Sequence, residues 1–135
     1  MGERRSTDGP PAAPGVRPTR EASSGGTVFV VSGETMGRGD DALGAKLLGN
    51  FLRTLVAVEP KPEAVVFYNA AVRLLGEGSP HLDALRRLDD AGVDLLACVT
   101  CLDFFGLAER LAVGQVSNMR EIVQRTSAAA RVVTI

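Results

Sequence analysis

Cys98 and Cys101 are the only cysteines of a 135-residue chain, and they stand as C-x-x-C in ACVTCLDFFG, residues 97–106. Two thiols at that spacing can hold a metal, cycle between dithiol and disulfide, or carry a sulfur or selenium atom. Packing is the competing use, because a free cysteine is small, apolar and often buried. Zinc needs about four ligands, and besides the thiols the chain offers a single histidine, His81, in a different helix. No metal is therefore expected. A thioredoxin-type dithiol would carry C-x-x-C after an early strand, whereas here it follows the third. Cys101 opens a helix, whose terminal N–H groups favour a thiolate, while Asp103 two residues on opposes one. The sequence leaves the direction of that balance open.

The thiols need elements to hold them. TVFVVS from Thr27, EAVVFYN and VDLLAC are continuous apolar runs of the kind covered on both faces in a parallel sheet, and RVVTI closes the chain as a further strand. Leu43, Leu47, Leu48, Phe51, Leu52 and Leu55 recur at three-and-four spacing, so residues 40–57 read as an amphipathic helix started by Asp40 or Asp41. SPHLDALRRLDDAG reads as a second helix with Ser79 at the cap, apolar on Leu82, Leu85 and Leu88, with Asp83 and Arg87 one turn apart on the wet face. Residues 102–112 suggest a short helix, and SNMREIVQRTSAA a longer one opened by Ser117 or Asn118. Strands alternating with helices predict right-handed crossovers. The fold class expected is α/β, a three-layer α/β/α sandwich on a mainly parallel sheet of four or five strands.

In such sheets ligand chemistry gathers at the carboxyl ends of the strands. Cys98 ends strand three. The glycine turn after strand one, with Gly33, Gly37 and Gly39, and Asn69 after strand two share that edge, so three loops frame one candidate substrate-binding site. The turn GETMGRGDDALG lacks the Lys-Ser/Thr of a phosphate-binding loop and does not reproduce G-x-G-x-x-G, so it reads as a rim rather than a nucleotide site. RGD at 38–40 is set aside as chance, and Phe104 and Phe105 are expected to pack the short helix onto the sheet or a neighbouring subunit.

Bulk properties narrow the class further. Residues 1–26 hold four of the seven prolines and no aromatic residue, which predicts a disordered tail before a domain over 27–135. Fifteen basic against sixteen acidic residues leave a net charge of −1, which argues against nucleic acid as partner. No apolar stretch approaches the roughly 20 residues of a membrane span, and the N-terminus lacks a secretory apolar segment. MGERRS fits a loose acylation pattern with no second membrane signal. A cytoplasmic location without membrane attachment is expected, and no cofactor.

Four stretches together, VVSGETMGRGDDALGAKLLGNFL, VVFYNAAVRLLGEGS, GVDLLACVTCLDFFGLAERLAVGQVSNM and ARVVTI, resemble the DsrE-like fold, and within it the YedF-type sulfurtransferase-like proteins of selenium metabolism. The resemblance spans about residues 27–135. It implies a small α/β/α domain that forms homo-oligomers and carries sulfane sulfur, or selenium, as a cysteine persulfide between donor and acceptor proteins. It places the carrier at Cys98, with Cys101 as the companion thiol of the YedF branch. Two departures stand out. Residues 1–26 are too short for the TusA-like carrier domain of longer YedF proteins, so a TusA-like partner is expected on another chain; and Asn-Ala-Ala at 69–71 replaces a more glycine-rich loop. A non-catalytic binding or assembly subunit and a dithiol redox protein remain the alternatives.

Overall fold

Five parallel strands and the helices between them make up a computed structural model that describes residues 26–135. The expected acylation pattern and nearly all of the expected N-terminal tail fall outside the described residues. In chain order the elements are β1 (Thr27–Val31), α1 (Asp41–Ala57), β2 (Ala64–Phe67), a 3-10 segment (Asn69–Leu75), α2 (Leu82–Asp90), β3 (Asp94–Cys98), α3 (Val99–Phe104), β4 (Gln115–Ser117), α4 (Met119–Ala128) and β5 (Arg131–Thr134). The sheet order is β4-β3-β2-β1-β5, and every neighbouring pair is parallel. This is the α/β class expected from the alternation of strands and helices.

Because side chains alternate across a strand, β1, β2 and β3 feed two cores. Val31, Val65, Phe67, Leu95 and Ala97 pack with Leu48, Leu52 and Leu55 of α1 and with Leu85 and Leu88 of α2. Val28, Val30, Ala64, Val66, Leu96 and Cys98 face the opposite way and meet Ile122 of α4. Among the described residues that second face carries one helix, and β5 at the sheet's edge is exposed along its whole length.

The helix starts follow capping chemistry. Asp40 caps α1 by accepting the Leu43 N–H at 2.9 Å, and Asn118 caps α4 by accepting the Glu121 N–H at 2.8 Å. Four boundaries differ from expectation. Leu43 and Leu47 are exposed, because the buried stripe of α1 runs through Leu48, Leu52 and Leu55, and the two earlier leucines fall on its flank. Ser79 does not cap α2; its hydroxyl accepts the His81 N–H at 3.1 Å, and His81 takes the cap position. The short helix lies at 99–104 rather than 102–112, because the chain turns straight out of β3 and Gly106, at φ +68°, ends it in the left-handed region. The segment VGQVS contributes an edge strand, β4, where only a connection had been expected. Asp83 and Arg87 do meet on the wet face of α2, at 3.4 Å.

Candidate functional site: a thiol pair at the carboxyl edge

Cys98 ends β3 and Cys101 lies in the first turn of α3, so the strand-to-helix turn itself sets the two thiols side by side. Their surroundings differ. Cys98 is 3% exposed and belongs to the core beneath α4. Cys101 is half-buried and packs against both cores at the sheet edge. Burial pushes the Cys101 thiol up; the Asn69 N–H pulls it down; and the hydrogen bond and charge of Cys98 push it up again. Charge on Cys98 therefore opposes charge on Cys101.

Asn69 is the third member. It opens the 3-10 segment at φ +54°, a left-handed conformation that asparagine tolerates better than most residues, and this turns its N–H onto the Cys101 sulfur at 3.0 Å. The asparagine thus occupies a position where glycine would also serve. On the far side, Ser117 of β4 is the register partner of Cys98. Its hydroxyl donates to the Glu121 carboxylate at 2.6 Å, which fixes the β4–α4 junction beside the inner thiol.

The structure thus brings Cys98, Cys101 and Asn69 together, as the sheet-edge rule anticipates. Gly33, Gly37 and Gly39 occupy the turn after β1; Gly37 and Gly39 take φ of +83° and +128°, and a Cβ on either would meet open space. They shape the turn, but the turn reaches the site through Glu34. The Glu34 carboxylate pairs with Arg73 at 3.2 Å, and the Arg73 guanidinium lies 4.4 Å above the Phe105 ring. Phe105 in turn meets Phe104 edge-on, with centroids 5.0 Å apart. Phe105 packs against the larger core as expected, whereas Phe104, 81% exposed, does not pack onto the sheet. Glu34 and Arg73 went unseen as site residues, and the hint available was topological: each lies in the segment following a different strand at this same edge. Among the described residues no three His, Cys, Asp or Glu side chains cluster as metal ligands, and no helix is long and apolar enough to cross a membrane.

A parallel α/β layer presenting two adjacent thiols at the carboxyl end of its third strand defines the class of this protein. The sequence profile of the DsrE/DsrF-like family matches residues 26–135, and the chain belongs to that family. In three dimensions it is similar to the YchN protein from E. coli, with a TM-score of 0.62 and 25% identity over 82% of this chain and 98% of that one. It is also similar to MTH1491 from Methanobacterium thermoautotrophicum, a protein of unknown function, with a TM-score of 0.55 and 26% identity over 78% of this chain and 96% of that one. BT1422 from Bacteroides thetaiotaomicron shares the fold at 14% identity, with a TM-score of 0.54. None of the curated proteins matches the chain in sequence.

Proposed function

We propose that the protein is a sulfur-relay component of the YedF type, carrying sulfane sulfur, or selenium, as a persulfide on Cys98 in the cytoplasm. The observation that carries this reading is the contact between a buried thiol and a more accessible one at the functional edge, the outer sulfur receiving a backbone N–H. The Cys98 thiolate attacks the outer sulfur of a donor persulfide, the donor thiolate leaves with the electron pair of the broken S–S bond, and Cys98–S–SH remains. An acceptor thiolate then takes the outer sulfur. Without an acceptor, Cys101 attacks the Cys98 sulfur, closes a disulfide and expels sulfide; a thiol reductant reopens the pair. Burial of Cys98 shields the persulfide from solvent thiols, and Cys101 stands at its approach. Donor and acceptor are proteins in this reading, a TusA-like carrier on another chain among them, and the domain works as a homo-oligomer.

Intact-mass measurement after exposure to a persulfide donor tests it. Wild type gains one sulfur atom; Cys98→Ser gains none; Cys101→Ser gains one and releases it as sulfide more slowly. Wild type that is reduced and folded yet gains no sulfur rejects the reading. A dithiol redox protein is the second reading, favoured by the adjacency of the thiols; it predicts a disulfide in wild type and no persulfide in Cys101→Ser.

A further inference from the structure

Arg73 has no part in the thiol chemistry above, yet its placement is specific. The 3-10 segment and α3 run side by side and touch at two successive levels. At the first, the Asn69 N–H meets the Cys101 sulfur. At the second, four residues on in each segment, Arg73 covers Phe105. The Phe105 N–H donates to the Cys101 carbonyl at 3.1 Å, so the ring lies one helical turn from the thiol, about 5.4 Å along the axis. The guanidinium carbon thus lies over a ring one helical turn along α3 from Cys101, a support that leaves its N–H groups able to bind an anion.

That edge now holds the Glu34 carboxylate, and both side chains are largely open to solvent, at 54% and 41% exposure. An exposed pair of this kind is weak, so a competing anion can displace the carboxylate. The aromatic support stays when the carboxylate leaves. Resting on the sulfur-carrier reading, we propose that Arg73 is the anion seat of the site. It exchanges Glu34 for the negative group of a small sulfane-sulfur donor whose charge lies within a few atoms of the transferable sulfur.

Thiosulfate is the simplest such donor. Its sulfonate oxygens match the guanidinium fork, and its terminal sulfur extends toward the thiols. The Cys98 thiolate attacks that sulfur, the S–S bond of thiosulfate breaks, sulfite leaves with its electron pair, and Cys98–S–S⁻ remains. Charge balances at three negative units on each side, and no external oxidant or reductant takes part. Arg73 binds the sulfonate before attack and sulfite after it.

The test compares two probes on the full chain, thiosulfate and an uncharged dialkyl trisulfide, following the adduct at Cys98 by intact mass: one sulfur atom from thiosulfate with sulfite leaving, and an alkyldisulfanyl group from attack on the central trisulfide sulfur with the alkanethiolate leaving. Arg73→Gln slows thiosulfate loading about tenfold, the size expected for one lost charge-assisted contact, and leaves trisulfide loading within about twofold. Arg73→Lys, which keeps the charge without the planar fork, falls between. Glu34→Gln, which removes the competitor, speeds thiosulfate loading and leaves the trisulfide rate alone. A wild type that reacts with trisulfide but not thiosulfate overturns the anion seat and spares the carrier reading. So does an Arg73→Gln chain that loads both probes like wild type or loses both equally. No adduct with either probe also overturns the anion seat, while the carrier reading is decided separately by loading from the persulfide donor.

Discussion

Cys101 holds its proton for two reasons that can be separated experimentally. Burial raises its pKa, and so do the hydrogen bond and charge of Cys98, against the opposing pull of the Asn69 N–H. The thiolate fraction at neutral pH is consequently below that of a free thiol near pKa 8.5, roughly. The alkylation rate of Cys101, resolved by peptide mass across a pH series, has its midpoint above the ordinary thiol range in wild type. In Cys98→Ala that midpoint moves down, because both contributions of Cys98 vanish while the Asn69 N–H remains. An unmoved midpoint removes the coupling between the thiols. At this scale the cysteines and Asn69 were legible from residue type and position at the strand ends. Arg73 and Glu34 were not: an ion pair spanning 39 residues of sequence leaves no local spacing to read. Only the fold brings such residues together.

The elements hold the rim by close backbone approach, and Gly44 shows how. The turn after β1 lies directly on α1: the Met36 N–H donates to the Gly44 carbonyl at 3.0 Å, and a Cβ on Gly44 would come 2.7 Å from the Thr35 Cβ and 3.3 Å from the Met36 backbone. Neither neighbour is the far end of a flexible chain, so the turn has to move. Gly44→Ala is expected to destabilise by about 1–2 kcal/mol in urea denaturation, since overpacking at about 1–3 kcal/mol exceeds a helix-propensity gain of at most about 1. Glu34 moves with the turn, so the same variant weakens its pairing with Arg73. The patterning that made the elements readable is the three-and-four apolar spacing of α1 and the continuous apolar run of a strand buried on both faces, as in β2. It failed at β4, because Gln115–Ser117 offers three residues buried only at its ends, too short a signal to separate from a loop. LAVGQVSNM nevertheless belongs to the cysteine-bearing stretch that carries the resemblance to the DsrE-like fold. The structure supplies the reason: Gln115 accepts the Leu95 N–H at 3.1 Å, Ser117 flanks Cys98, and Asn118 caps α4.

Among the described residues of the whole molecule, α4 is the helix packed on the Cys98 face, and it is secured at opposite edges of the sheet. Its capped start sits beside Cys98 at the carboxyl edge. Near its other end Arg125 reaches Asp94, the first residue of β3, at 3.0 Å, with side-chain exposures of 1% and 0%. This pair is a different kind of contact from the rim pair of Arg73 and Glu34. Outside, solvent screens the charges and exchange is easy; inside, removing the arginine takes a 3.0 Å charged partner from a carboxylate that solvent does not reach. Arg125→Met is expected to cost about 3–5 kcal/mol, a large share of the roughly 5–15 kcal/mol that stabilises a domain. Urea denaturation followed by far-UV circular dichroism reads the loss. Adding Asp94→Asn removes the buried charge, so the double variant recovers part of the stability. Equal loss in the single and double variants assigns the cost to packing instead. Because α4 covers the Cys98 sulfur, the weakened single variant also exposes that thiol: its alkylation by a neutral reagent, slow in wild type, accelerates as the helix lifts, and the double variant slows it again.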